Sequence, residues 1–367
     1  MHLTRLDITG VRNLASVNIE PGEGINYFYG DNGAGKTSLL ESVSLLSLGR
    51  SFRSGRISTI IARDSSELIV SGFVSDKLRQ SANQVGIRRG MDVTTARIDG
   101  QNIDRLSLLA QAVPTVAVST KNHELIEGGP GERRNFLDWI LFHVKHTFVH
   151  LSKRYKSALS QRNAALRAGS SNEMVCLWNT ELAEAGEAIA DLRRAVCDQV
   201  QDRLNIFARQ LDSATDLHEA ARDLIPELHY RRGWAEGQSL HETLEKSLDN
   251  CRRLGTTSTG PHRADIRLKL GTDEARYLLS RGQQKLLAVL LKLVQVDLYT
   301  QHHSQPPILL FDDLPSELDI RARDFVFSYL QSSSVQVFLT GVENVPKSIQ
   351  DVNKAFHVKQ GEIQNVI

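Results

Sequence analysis

The chain has 367 residues, 41% of them hydrophobic and 24% charged, with a formal net charge of +1; this length holds two domains or one domain with a large insertion, and the overall charge supplies no general attraction for nucleic acid, so any basic surface must be local. Cys176, Cys197 and Cys251 form no C-x-x-C pair, which argues against a disulfide framework and a zinc site and suits free thiols in a reducing compartment. The start, Met1-His2-Leu3-Thr4-Arg5-Leu6-Asp7, lacks a charged-then-apolar leader pattern, and nowhere do ~18 apolar residues run together, so a soluble cytoplasmic protein without membrane contact is expected.

Leu3, Leu6 and Ile8 begin a first strand, Val17 and Ile19 a second, and Ile25-Asn26-Tyr27-Phe28-Tyr29 a third that runs into a glycine-rich loop. Helical spacing of Leu39, Leu40, Val43 and Leu46 follows over 37–48. Residues 57–119 read as β-rich, with Asp99-Gly100 as a hairpin turn and a buried strand over 113–118. From 132 to 222 the pattern turns helical, with room for helices of ~40 residues reaching ~60 Å. No sustained heptad appears, so a long coiled coil is not expected. After Gly255 the α/β character returns, with strands over 264–270, 308–311 and 335–339 and helices over 280–299 and 319–330.

Gly30-Asp31-Asn32-Gly33-Ala34-Gly35-Lys36-Thr37 matches G-x-x-x-x-G-K-[ST] between a buried strand and a helix, the context this phosphate-binding loop requires. Its backbone N–H groups would face phosphate oxygens, with Ser38 next in line at the helix start. Lys36 would reach the β- and γ-phosphates of ATP, and the Thr37 hydroxyl would hold Mg²⁺. Ile308-Leu309-Leu310-Phe311-Asp312-Asp313 describes a buried strand with acids at its C-terminal edge, where ligands sit in open α/β sheets. Asp312 would share the Mg²⁺ with Thr37, and Asp313 would polarise the attacking water. Leu279-Ser280-Arg281-Gly282-Gln283-Gln284-Lys285 opens an amphipathic helix. Ser280 there is either an N-cap or, with Gly282 and Gln283, part of an anion site at the positive helix end.

Local charge is concentrated at the start of the helical stretch. Arg133, Arg134, Lys145, Lys153, Arg154, Lys156, Arg162 and Arg167 stand against only Glu132 and Asp138. This is either a solvated helix face or a surface that tracks nucleic-acid phosphates, with Arg133, Arg134, Lys153, Arg154 and Lys156 as the candidate contacts. Trp139, Trp178 and Trp234 suit packing better than base stacking. His262 suits either a turn or a nucleotide contact.

The loop, the acid-tipped strand, the L-S-x-G-Q-type signature and Ser316-Glu317-Leu318-Asp319 together resemble ABC-type ATPase heads. Gly49-Arg50-Ser51-Phe52-Arg53, Gly129-Pro130-Gly131-Glu132-Arg133-Arg134-Asn135-Phe136-Leu137-Asp138-Trp139, Gln161-Arg162-Asn163-Ala164-Ala165-Leu166, Arg232-Gly233-Trp234 and Thr259-Gly260-Pro261-His262-Arg263-Ala264-Asp265 narrow the resemblance to the RecF family along the whole chain. It implies an α/β, ABC/SMC/Rad50-like P-loop ATPase head over 1–128 and 256–367 with a mainly helical arm inserted over 129–255. It further implies an ATP-dependent homodimer in which the signature contacts the partner's γ-phosphate, sequence-independent DNA binding, and work with RecR and RecO in recombinational gap repair.

Three features depart from the ABC pattern. Asp313 stands where Glu is usual, Thr340 where a switch His is usual, and Pro315 interrupts the approach to Ser316-Glu317-Leu318-Asp319, which has the spacing of the D-loop that lies across the dimer interface in these ATPases. The first two imply slow hydrolysis. A structural SMC-type head would carry long heptads, and a transporter ATPase subunit would separate its phosphate loop from its signature by a far shorter helical segment than the one between Lys36 and Leu279.

Overall fold

In chain order the strands are β1 (His2–Val11), β2 (Leu14–Ile19), β3 (Ile25–Tyr29), β4 (Glu67–Asp76), β5 (Ser81–Gly90), β6 (Thr94–Ile98), β7 (Gln101–Ile103) and β8 (Thr115–Val118). They continue with β9 (Glu227–Arg231), β10 (Asp265–Leu270), β11 (Asp273–Glu274), β12 (Ile308–Phe311), β13 (Val337–Gly341), β14 (Val352–Lys359) and β15 (Glu362–Asn365). The computed structural model describes residues 1–76, 78, 81–214, 224–313, 318–345 and 352–366. Two units are distinguished, Met1–Asn122 with Lys292–Ile367, and His123–Leu291.

The first unit joins both ends of the chain through two six-stranded sheets. One has the order β2-β1-β4-β5-β6-β7 and is antiparallel throughout. Inward positions alternate along β4, where Leu68, Val70 and Val74 are buried. The second sheet has the order β15-β14-β3-β13-β12-β8, parallel except for the edge hairpin of β14 and β15. Its central strands read as continuous apolar runs because both faces are covered, and every residue of β12 and β13 is buried. Asp99 and Gly100 both have positive φ and join β6 to β7, as the hairpin reading requires.

Helix Lys36–Leu48 packs against strands of both sheets. The apolar spacing accounted for one face only, Leu39, Leu40, Val43 and Leu46. The structure also buries the polar side, where each group finds a partner. Ser42 Oγ donates to the Ser38 carbonyl at 2.9 Å, Ser44 Oγ to the Arg50 carbonyl at 3.0 Å, and Thr115 Oγ1 to Ser47 Oγ at 2.9 Å. Buried hydroxyls bonded in this way avoid the desolvation penalty of unpaired polar groups. Gly49, at φ 66°, closes the helix with its N–H on the Leu45 carbonyl.

The second unit is mainly helical. Pro130–Val144, His146–Arg167 and the 36-residue Asn179–Ala214 pack together with the short helices Leu240–Lys246 and Leu248–Leu254. Strand β10 pairs with β9, not with either six-stranded sheet. The compact unit that holds the helices and this sheet runs from His123 to Leu291. Arg133 and Arg134 fasten the start of β10 to helix Pro130–Val144: Arg133 makes a bidentate pair with Asp265 at 2.8 and 3.2 Å, and Arg134 donates to the Ala264 carbonyl at 2.7 Å. Arg193 similarly clamps Asp138 at 2.8 and 2.9 Å. Among the described residues no helix is long and apolar enough to cross a membrane.

Candidate nucleotide-binding site

Strand β3 ends at Tyr29, and the chain then curls through Gly30, Gly33 and Gly35, which have φ of 149°, 81° and 124°. A Cβ on Gly30 would stand 2.1 Å from the Val358 carbonyl oxygen of β14, so no other residue fits there. A Cβ on Gly33 would meet nothing, yet its left-handed backbone keeps the loop wrapped. Gly35 caps the helix whose first residue is Lys36. The loop thus ends at the positive pole of a buried helix, a place suited to phosphate.

The loop is braced from outside. In the turn between β1 and β2, Asn13 Nδ2 donates to the carbonyls of Ala34 at 3.0 Å and Gly33 at 3.2 Å, and Asn13 Oδ1 accepts from Ser38 Oγ at 2.9 Å. Arg12, at φ 52°, reaches the fully buried Glu41 carboxylate, which also accepts from Ser51 Oγ. Sequence reasoning passed over Arg12, Asn13 and Glu41. An Arg-Asn pair in a turn carries no periodicity, and an acid inside a helix reads as an exposed position.

Lys36 is 8% exposed and its ammonium donates to the Gly30 and Asp31 carbonyls. Burial lowers its pKa, while Asp313, Asp312 and Asp31 pull it back up. The acids come from the neighbouring strands of the parallel sheet. Asp312 leaves the end of β12, where its N–H donates to the Val118 carbonyl at 2.9 Å. Its Oδ1 accepts from Thr37 Oγ1 at 3.0 Å and from Thr340 Oγ1 at 3.1 Å. Burial raises the Asp312 pKa, and the two threonine hydroxyls and the charge of Arg53 oppose that rise. Asp313 has a left-handed backbone at φ 63°, and its N–H donates to Thr340 Oγ1 at 2.9 Å. Together with Glu343, its charge adds to the effect of burial in pushing the Tyr27 phenol up to about 12. Thr37 is therefore bonded to Asp312, and Lys36 lies within reach of the charges of Asp312 and Asp313. Thr340, noted in the sequence only as a departure from the usual His, proves to be the residue that contacts both acids.

The signature lies in the second unit. Ser280 Oγ accepts from the Gln283 N–H at 3.3 Å, and Gln283 Oε1 accepts from the Ser280 N–H at 2.8 Å. This reciprocal pair is a capping box that fixes the start of helix Arg281–His303. Ser280 and Gly282 are exposed, and a Cβ on Gly282 would meet nothing. Pro315, Ser316 and Glu317 lie outside the described residues. Asp319 N-caps helix Ile320–Ser332 by accepting from the Ala322 N–H at 2.9 Å.

The basic stretch is less uniform than its charge count suggests. Arg162 is fully buried, donating to Asn179, Thr257 and the Leu244 carbonyl. Arg133 and Arg134 hold β10, and Arg154 makes a bidentate pair with Glu181 at 2.6 and 2.9 Å. Lys153 and Lys156 are exposed on helix His146–Arg167. His262 bonds Tyr155 Oη at 2.7 Å through Nδ1 and the Thr257 carbonyl at 3.0 Å through Nε2. Trp139 packs on His143, and Arg232 lies 4.6 Å over the Trp234 ring.

The profile of the RecF/RecN/SMC N-terminal domain family matches residues 2–364. The DNA replication and repair protein RecF of Thioalkalivibrio sulfidiphilus is 40% identical over 366 residues, covering 99% of both chains. That of Stutzerimonas stutzeri is 38% identical over 369 residues, covering 99% of this chain and 97% of its own. Among solved structures, the fold matches the ATP-bound recombination mediator protein RecF of the RecFOR pathway with a TM-score of 0.87 at 24% identity, covering 100% of this chain and 98% of that one. It also matches an Smc head bound to the C-winged helix domain of ScpA with a TM-score of 0.54 at 15% identity, covering 100% and 97%.

Proposed function

The chain belongs to the RecF family of the RecF/RecN/SMC group, and from that premise we propose that it is a cytoplasmic, ATP-dependent DNA-binding protein of replication and recombinational repair that acts at gaps. The observation that carries this reading is the meeting of Lys36, Thr37 and Asp312, with Thr37 Oγ1 3.0 Å from the Asp312 carboxylate.

Lys36 holds the β- and γ-phosphates against the loop N–H groups. The Thr37 hydroxyl and the Asp312 carboxylate present two hard oxygen donors side by side, a set that fits Mg²⁺. When bound there, Mg²⁺ would neutralise charge on the phosphates. Asp313 orients the attacking water, and turnover is slow because its side chain is one methylene shorter than the glutamate usual in ABC ATPases. Ser280, Gly282 and Gln283 close on the γ-phosphate held by a second copy, so that two ATP molecules bridge a homodimer. The ATPase function draws on 1–128 and 256–367, and the arm over 129–255 holds the DNA. Phosphate contacts come from Lys153 and Lys156, with Arg154 beside them. Arg133 and Arg134, engaged with Asp265 and Ala264, keep the arm in shape. RecR and RecO are the expected partners in recombinase loading, in keeping with the pathway in which the RecF of known structure is described.

Light scattering tests the sandwich. ATP with Mg²⁺ should double the mass, ADP should not, and Ser280→Arg should bind ATP yet stay monomeric. A Ser280→Arg protein that still dimerises, or a wild type equally dimeric with ADP, refutes the arrangement.

A further inference from the structure

We propose that Thr340 is a positioning residue for hydrolysis, a hydroxyl that stations both acids at the end of β12. The inference rests on the nucleotide reading above, since it concerns the same site.

The argument starts from strand register. β12 and β13 are parallel neighbours with Phe311 opposite Leu339, so the next residues, Asp312 and Thr340, meet where the sheet ends. Thr340 is fully buried. Its hydroxyl cannot turn to water and must bond within the protein. A hydroxyl donates one proton and accepts on its lone pairs. Thr340 Oγ1 accepts the Asp313 N–H at 2.9 Å, and its own proton faces Asp312 Oδ1 at 3.1 Å; the Phe311 carbonyl, at 3.5 Å, is the more distant acceptor. One oxygen atom therefore contacts the backbone of one acid and the side chain of the other.

Each contact has a distinct effect. Asp312 Oδ1 is gripped by Thr37 and by Thr340, so its carboxylate is aimed before any phosphate arrives. Asp313 occupies the left-handed region, which few residues other than glycine enter. In a continuing strand, successive side chains would point to opposite faces. The left-handed turn at Asp313 ends that alternation, and both carboxylates exert their charge on Lys36. The Thr340 hydroxyl stabilises that turn by taking the N–H that the left-handed residue presents.

Valine keeps the shape of Thr340 and removes both bonds, whereas serine keeps both bonds. The test measures affinity for a fluorescent ATP analogue with Mg²⁺ and single-turnover phosphate release for the wild type, Thr340→Val and Thr340→Ser. It adds Asp313→Asn and the Asp313→Asn/Thr340→Val double variant. Thr340→Val should bind ATP within about threefold of wild type and hydrolyse it roughly ten- to a hundredfold more slowly, the size of effect of losing hydrogen bonds at a charged group. Thr340→Ser should recover most of the rate. The double variant should lose less than the two single losses combined, because the part of the Thr340 effect that runs through Asp313 is already gone. Should Thr340→Val fail to fold by thermal melting, Thr340→Ala takes its place in the same cycle. Equal rates for wild type and Thr340→Val, a serine variant as slow as valine, or additive losses in the cycle each overturn the proposal. A wild type that binds no ATP overturns the nucleotide reading itself and this inference with it.

Discussion

Lys36 and the paired arginines of the helical unit treat charge in opposite ways. In the unit made from both chain ends, Lys36 rests on loop carbonyls with Asp312 and Asp313 as its acidic neighbours. In the other unit, Arg133 with Asp265, Arg193 with Asp138 and Arg154 with Glu181 are matched fork to fork. A bidentate pair satisfies its donors and fixes two elements together, which leaves little for a ligand. An ammonium held by carbonyl dipoles keeps its charge available. The difference lies in whether a partner of matching geometry stands opposite, and the buried Arg12–Glu41 pair shows the matched arrangement in the first unit as well.

The largest effect that could break this contrast is at Lys36. Lys36→Met should weaken ATP binding by ~100-fold or more, the loss of a charge-assisted contact to phosphate. Its melting temperature without nucleotide should stay near that of wild type, because the carbonyls it leaves belong to a loop already braced by Asn13. Calorimetric titration with ATP measures the first and thermal melting the second. Near-normal ATP affinity would remove Lys36 from the site. The mirror experiment is Asp138→Asn. The Arg193 side chain is 8% exposed, and stripping a buried cation of its carboxylate costs about 3 kcal/mol. Urea unfolding should show that loss while ATP affinity is unchanged.

How much of this was legible in the sequence follows the same line. The phosphate loop, the acid-tipped strand and the Asp99-Gly100 hairpin were readable because each needs particular residues at fixed spacing for a backbone reason. The parallel sheet was readable from apolar runs such as 308–311. The pairing of β10 with β9 was not, since strand periodicity says nothing about which neighbour a strand finds. The braces also stayed hidden: Asn13 and Thr340 act through side-chain hydrogen bonds to residues distant in the chain. The basic stretch misled in part, because net charge cannot separate Lys156, exposed, from Arg162, which has no exposure at all.

A smaller effect sharpens the contrast within the helical unit. Lys153→Glu with Lys156→Glu should lower affinity for gapped DNA, and the slope of log affinity against log salt should fall by about 2, near one unit per lost phosphate contact. Urea stability should hardly change, since exposed lysines contribute little to folding. Filter binding at several salt concentrations gives the slope. An unchanged slope would move the DNA surface away from helix His146–Arg167.

The smallest effect concerns His262, whose ring joins Tyr155 to Thr257 inside the helical unit. Burial lowers its pKa below the ordinary 6.5, and the charges of Arg263, Arg134 and Arg193 push the same way, against the bond to Thr257. The unfolded chain therefore takes up a proton at a higher pH than the folded one. The stability contributed by neutral His262 is complete above pH 6.5 and declines as the pH falls from there towards the lower folded value, by at most about 1.4 kcal/mol per pH unit. His262→Gln retains a polar side chain at this position and cannot take up the proton. Its urea midpoint should start below that of wild type at pH 7.5 and fall less steeply between pH 6.5 and 5.5. ATP affinity at pH 7.5 should be the same for both, because this imidazole serves the framework of the helical unit. If the glutamine variant lost ATP binding while keeping its stability, His262 would belong with the nucleotide, and the contrast between a ligand-facing charge and a self-matched framework would fail at that residue.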